Sequence, residues 1–144
     1  MSINIPSSSL PRVVIAGGGF GGLKLAQELD SSRFQIVLID QNNYHQFPPL
    51  IYQVASSGLE PSSIAFPFRS AFRRKDNFLF RLASVEAVDA EHKQLLTSVG
   101  PISYDYLVLA CGGTTNFFGN EQIARNSLPM KTLYESMNLR NVLL

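Results

Sequence analysis

Two short apolar runs flank a glycine-rich turn near the start of the chain. Residues 12–16 and 34–40 are rich in β-branched side chains, and each has the length of a buried parallel strand. Between them, residues 20–30 place apolar side chains at near-helical spacing. This alternation of strand, helix and strand predicts one β-α-β unit over residues 12–40.

The later pattern predicts an α/β fold that is not built from regular helical crossovers. Residues 41–61 have no clean period and predict a long ordered loop with helical turns. The next runs predict a short helix at residues 67–75, a third strand at 78–82 and an antiparallel β-meander at 84–103. The last runs predict a central parallel strand at 106–110 and a capped helix at 132–144. We therefore expect a Rossmann-like parallel sheet with helices on both faces and an antiparallel meander crossover.

The two ends of the chain carry separate expectations. Residues 1–11 are rich in Ser and Pro without periodicity, which predicts a disordered arm before a single domain at 12–144. The last helix ends at Leu144 without a capping Gly or Asn. We therefore expect the fold to be incomplete at its C-terminus, where an uncovered apolar surface would favour a homodimer.

Composition excludes several classes of partner and site. A formal net charge of +1 does not provide the basic surface that nucleic-acid binding requires. The single cysteine, Cys111, permits neither an internal disulfide nor a cysteine-based zinc site, so we expect no metal and a reducing cytoplasm. No segment has the length of a signal peptide core or a membrane span, which predicts a chain that is soluble or at most peripheral.

The glycine-rich turn carries the chemistry. Gly17, Gly19 and Gly22 form a GxGxxG pattern that follows a strand and opens a helix, the context in which backbone N–H groups and the helix dipole bind a pyrophosphate. Asp40 ends the second strand, where its carboxylate can hold both ribose hydroxyls and repel a 2′-phosphate. The alternative is that these glycines only form a tight turn and that Asp40 is a solvated residue at the end of a strand. The pattern is therefore compatible with FAD or NAD as the ligand and disfavours NADP. The long loop and the meander favour FAD.

Two segments resemble a known family. Residues 43–55 (NYHQFPPLIYQVA) and 104–119 (YDYLVLACGGTTNFFG) resemble segments of the type II NADH:quinone oxidoreductases, the non-proton-pumping NADH dehydrogenases, and the resemblance covers nearly all of 12–144. It implies the N-terminal FAD-binding part of a flavoprotein that passes electrons from NADH through FAD to a membrane quinone. The NADH-binding and membrane-binding regions would lie outside this chain, so we expect the complete enzyme to be peripheral on the cytoplasmic membrane face and this chain alone to be inactive.

The resemblance also implies which residues touch FAD, and no catalytic residue is among them because the cofactor carries the chemistry. The pyrophosphate would be surrounded by Gly17, Gly19, Phe20, Gly21 and Gly22, and the adenosine ribose would be held by Asp40 and Gln41. The adenine would meet Val85, and the flavin would lie near Pro49 and Leu50. Ala110 and Gly112 would pass under the cofactor. Cys111 departs from the threonine that is common in the family.

Alternatives remain open from the residues alone. One is a stand-alone module that binds FAD or an adenine nucleotide, and another is a fragment of a sulfide:quinone reductase-like flavoprotein. Cys111 is expected to be a small buried residue, because a redox role near a flavin needs a cysteine pair. His45 could donate a hydrogen bond to flavin or ribose, but a structural role in its loop is expected instead. The basic residues Arg69, Arg73, Arg74 and Lys75 are expected to form a solvated face.

Overall fold

The computed structural model describes residues 4–144, which form short strands and helices. The strands are β1 (Arg12–Ala16), β2 (Gln35–Asp40), β3 (Tyr44–Gln46), β4 (Ala65–Pro67), β5 (Phe78–Leu82), β6 (Val85–Asp89), β7 (Gln94–Thr97), β8 (Gly100–Ser103) and β9 (Tyr106–Leu109). The helices are α1 (Phe20–Glu28), α2 (Ile51–Ala55), α3 (Phe68–Ala71), α4 (Glu121–Arg125) and α5 (Leu133–Leu143). Single 3-10 turns lie at Pro48–Leu50 and Pro61–Ser63.

A four-stranded parallel sheet in the order β5-β2-β1-β9 forms the centre of the fold. Each pairing follows one register, for example Ala16 beside Ile39 on one side and beside Leu109 on the other. The predicted β-α-β unit, third strand and fourth strand are confirmed. The prediction that the fourth strand is central is wrong for the described residues, because β9 ends the sheet and leaves Tyr106 and Leu109 exposed.

The sheet is buried on both faces by different kinds of structure. On one face, Val13 and Ile15 pack with side chains from α1 and α3. On the other face, Val14 and Ala16 pack with Leu95 and other residues of the meander β6-β7-β8. The Rossmann-like class with an antiparallel meander is confirmed. The expectation of helices on both faces needs correction, because within residues 4–144 the meander covers the face opposite α1 and α3.

The chain divides into two compact units. The first contains the chain up to His45 and Pro67–Gly112, and therefore the parallel sheet and the meander. The second contains Gln46–Phe66 and Gly113–Leu144, where α2 and α5 pack together. In this second unit the predicted capping box is confirmed, since the Thr132 hydroxyl accepts from the Glu135 N–H and the Glu135 carboxylate accepts from the Thr132 N–H.

Part of the predicted N-terminal arm is described by the structure. Residues 1–3 lie outside the described part. Ile5 packs against the core beneath the meander, and the Pro6 carbonyl accepts a hydrogen bond from Gln35 Nε2 at 2.9 Å. The Asn4 carbonyl accepts from the guanidinium of Arg81. These contacts join the arm to the first unit.

Candidate functional site

Two of the motif glycines are required by the packing of the turn itself. Gly17 has a φ of +106°, and a Cβ there would stand 2.2 Å from the Ala110 carbonyl oxygen. At Gly22 a Cβ would stand 1.9 Å from the Gly17 carbonyl oxygen. Any larger side chain at either position must displace backbone, because both nearest atoms belong to the main chain. These two glycines therefore bring β1, α1 and the end of β9 into close contact.

Gly19 and Gly21 border open space at the start of α1. A Cβ built on Gly19 or Gly21 meets no atom of the described residues within 4 Å. Gly19 is the N-cap of α1, so no N-cap side chain accepts from the first N–H groups of the helix. The first turn of α1 also contains no acidic side chain. The first N–H groups of a helix have no intrahelical partner and attract anions. This helix start has the room and the polarity for a phosphate group.

Asp40 is anchored to the same turn. Its Oδ2 accepts a hydrogen bond from the Gly18 N–H at 2.6 Å, and its Oδ1 accepts from the Asn42 N–H at 2.8 Å. A carboxylate has about four lone-pair sites, so both oxygens can still accept from the hydroxyls of a ligand. Burial, and secondly the charge of Asp40, raise the pKa of Tyr44 above its ordinary value. Tyr44 is therefore neutral beside this carboxylate.

Gly18 is the position that sequence reasoning missed. A Cβ there would stand 2.1 Å from Cζ of Phe68, a side chain with no exposed surface. Its carbonyl accepts a hydrogen bond from His45 Nδ1 at 2.9 Å. His45 is only 3% exposed and its ring lies 5.6 Å from that of Phe20 and 6.4 Å from that of Phe68. The structural role expected for His45 agrees with this contact, and the Gly-Gly-Gly run was the available signal for Gly18.

The remaining predicted residues of the first unit lie around this turn with different exposures. Phe20 is 50% exposed at the start of α1, and Gln41 is exposed directly after Asp40. The Ala110 N–H donates to the Ala16 carbonyl at 2.7 Å, which holds the end of β9 against β1. Gly112 has a φ of +70° and meets open space.

Two further residues of the first unit, Val85 and Cys111, were singled out from the sequence. Val85 is half-buried at the start of β6, two residues after Ala83, whose N–H donates to the Asp40 carbonyl at 3.0 Å. Cys111 is exposed, and the expectation of a buried cysteine is wrong. Cys111 follows β9, which lies at the edge of the sheet, and its Sγ donates to the Ala16 carbonyl at 3.4 Å.

Pro49 and Leu50 belong to the second unit. They lie in the 3-10 turn Pro48–Leu50, with Pro49 exposed and Leu50 half-buried. The structure thus gathers ten of the twelve predicted residues in one unit and two in the other. Among the described residues, no helix combines the length and the apolar character needed to cross a bilayer.

Comparisons with known proteins agree with the predicted resemblance. The family described as pyridine nucleotide-disulphide oxidoreductase matches residues 11–141. The type II NADH:quinone oxidoreductase NdhA of Mycobacterium tuberculosis is 37% identical over 139 residues, which cover 92% of this chain and 29% of that protein.

Solved structures give the same result at the level of the fold. NDH2 of Plasmodium falciparum, determined with NADH, has a TM-score of 0.84 and 25% identity over 90% of this chain and 28% of its own. The sulfide:quinone oxidoreductase of Aquifex aeolicus has a TM-score of 0.83 and 28% identity over 92% of this chain and 31% of its own. The chain therefore spans less than a third of the length of each of these proteins.

Proposed function

Because the chain belongs to the pyridine nucleotide-disulphide oxidoreductase family, we propose that it forms the FAD-binding part of a type II NADH:quinone oxidoreductase. The relative from Mycobacterium tuberculosis carries that name, and the solved neighbour from Plasmodium falciparum holds NADH. In the complete enzyme, electrons would pass from NADH through FAD to a membrane quinone. The complete enzyme would then act as a peripheral protein on the cytoplasmic membrane face.

The observation that carries this proposal is the coupling of Asp40 to the glycine turn. One carboxylate oxygen of Asp40 accepts from the Gly18 N–H, so the acid that would bind the ribose is hydrogen-bonded directly to the turn that would bind the pyrophosphate. Open space at Gly19 and Gly21 then lets a pyrophosphate approach the N–H groups of α1. An adenine dinucleotide matches this arrangement, because its ribose and pyrophosphate are covalent neighbours.

The protein residues bind and orient the cofactor in this proposal. The turn from Gly17 to Gly22 would hold the pyrophosphate, Asp40 and Gln41 the ribose, and Val85 the adenine. Ala110 and Gly112 would lie under the cofactor, and Pro49 and Leu50 would approach the flavin. FAD, when bound, supplies the two-electron redox chemistry, so no side chain here acts as general acid, general base or nucleophile.

The first test is FAD binding by the purified chain, measured by calorimetry and by the visible flavin spectrum. Gly19→Ala adds a methyl group that meets no protein atom but occupies the space of the pyrophosphate. We expect it to weaken FAD binding by about tenfold or more while the chain stays folded. Gly58→Ala is the matched control, because its Cβ would be in ordinary contact at 3.4 Å, far along the chain from the turn.

The outcomes separate this proposal from its alternatives. Equal FAD affinities in the two variants would refute the assigned pyrophosphate position. Binding of NAD in preference to FAD would refute the cofactor. The similarity to a sulfide:quinone oxidoreductase favours a second candidate, in which the substrate is sulfide. Anaerobic addition of NADH or of sulfide to the longest gene product that contains this chain decides between them, because only the true donor bleaches the flavin.

A further inference from the structure

A cavity of about 220 Å³ runs along the free edge of β5. It is lined by Arg69, Phe72 and the four consecutive residues Phe78–Arg81. Successive strand residues point to opposite faces, so a cavity that reaches four in a row must lie beside the strand's edge. Because β5 ends the sheet order, this edge faces away from β2 and from the glycine turn.

The cavity carries two positive charges and no negative one. Arg69 makes no hydrogen bond or ion pair with any residue between 4 and 144, and no carboxylate lines the cavity. Arg81 donates from Nη1 to the Phe80 carbonyl at 2.9 Å and from Nη2 to the Asn4 carbonyl. A guanidinium has five N–H donors, so Arg81 retains three and Arg69 retains all of its own.

The two guanidiniums act on each other across this cavity. Burial, and secondly the charge of Arg69, lower the pKa of Arg81 from its ordinary value. Like charges that share a cavity without a carboxylate raise the energy of the protein, and an anion placed between them lowers it. Guanidinium forks match the oxygen spacing of carboxylates and of phosphates. A phosphomonoester also carries a charge of about −1.5 to −2 and three acceptor oxygens, which suits two arginines.

The remaining wall is aromatic. Phe72 and Phe78 stack with their ring centroids 4.0 Å apart and an interplanar angle of 21°. Phe72 is buried and Phe78 is half-buried, so the rings present an apolar surface beside the charges. A ligand that uses both walls has a charged phosphate at one end and a small apolar group at the other.

We propose that this arginine cavity, defined by Arg69, Arg81 and the rings of Phe72 and Phe78, binds a phosphomonoester with a small apolar group. None of its lining residues belongs to the proposed FAD site, so it is a second site. The phosphate lies between the two guanidiniums and the apolar group lies against the rings.

The test is calorimetric titration of the purified chain with phenyl phosphate and with inorganic phosphate, at an ionic strength held constant with sodium chloride. We expect one phenyl phosphate site, with inorganic phosphate bound about tenfold more weakly because it gains nothing from the rings. Arg69→Gln should weaken phenyl phosphate binding by about tenfold or more, since it removes charge-assisted hydrogen bonds. Arg73→Gln is the matched control: it removes an exposed arginine four residues away that does not line the cavity.

Three results would overturn the proposal. The first is the absence of saturable phenyl phosphate binding, and the second is an equal loss in the Arg69 and Arg73 variants, which would indicate general charge screening. The third is equal affinity for phenyl and inorganic phosphate, which would exclude the phosphomonoester. FAD titration keeps the two proposals apart. If the unsubstituted chain binds phenyl phosphate but not FAD, the cofactor assignment is refuted and the arginine cavity stands, whereas loss of FAD binding in the Arg69→Gln variant would refute the separate second site.

Discussion

Gly18 is constrained by one aromatic ring, and this constraint can be measured. A Cβ at Gly18 would lie 2.1 Å from Cζ of Phe68, far below van der Waals contact. The ring cannot swing away freely, because Phe68 is fully buried and packs 5.1 Å from the Phe80 ring. Overpacking of a filled core costs about 1–3 kcal/mol, so we expect Gly18→Ala to lower the free energy of unfolding by that amount.

Shortening Phe68 should remove most of this cost. Phe68→Leu deletes the ring tip and by itself should destabilise by roughly 1–2 kcal/mol. In the double variant the new methyl group occupies the space that the ring tip leaves. We therefore expect the double variant to be about 1–2 kcal/mol more stable than the sum of the single effects requires.

Urea unfolding followed by circular dichroism gives the four free energies of this cycle. The matched cycle uses Gly19→Ala, whose methyl group meets no protein atom, and should show coupling with Phe68→Leu below about 0.5 kcal/mol. Additivity in the Gly18 cycle would refute the reasoning, since it would mean that the turn or the ring relaxes without cost.

Three further predictions concern stability and reactivity. Lys75 Nζ donates at 2.7 Å to two carbonyls at the end of α1, so Lys75→Met should lower the free energy of unfolding in urea by about 1–2 kcal/mol. Lys24→Met is the control: it removes only an exposed ion pair and should leave the urea midpoint nearly unchanged. Burial opposes ionisation of Glu135, but hydrogen bonds from Lys131 and Thr132 outweigh it and lower its pKa below the ordinary value of 4.5. The ionised carboxylate therefore stabilises the fold fully above that pH, and this stabilisation is lost as the pH falls through the lower pKa of the folded state. Glu135→Gln should therefore reduce the fall in the urea midpoint between about pH 5 and pH 3, and an unchanged fall would contradict the assignment. The exposed Cys111 should react with a thiol reagent in the native chain nearly as fast as in urea, and strong native protection would show that the thiol is covered.

Local signals predicted much of the fold. The apolar runs predicted all four parallel strands. For β1 and β2 the reason is that a strand buried on both faces needs nearly every side chain to be apolar. Short alternating runs predicted the meander, and the Thr132 and Glu135 pair predicted the start of α5. Each of these features depends on residues within a few positions of one another, which is why one sequence sufficed.

Features that depend on distant partners were missed. An apolar run does not record how many strands flank it, so β9 was expected to be central and Cys111 buried. The helix α4 was also missed. Its signal is only the Asn120 cap, which accepts from the Ile123 N–H, and an exposed ion pair between Glu121 and Arg125, and five residues are too few to show a helical period.

The glycine turn shows why a motif needs its surroundings. Three groups converge on Gly18: the Asp40 carboxylate on its N–H, the His45 ring on its carbonyl and the Phe68 ring at its Cα. These groups come from β2, β3 and α3, so the conformation of the turn is set by residues that lie 22 to 50 positions later. The glycines permit the backbone to turn, and the contacts with these later residues stabilise the conformation that the structure shows. Ordering a turn that lacks such contacts would cost conformational entropy on binding, and a preformed anion site avoids that cost.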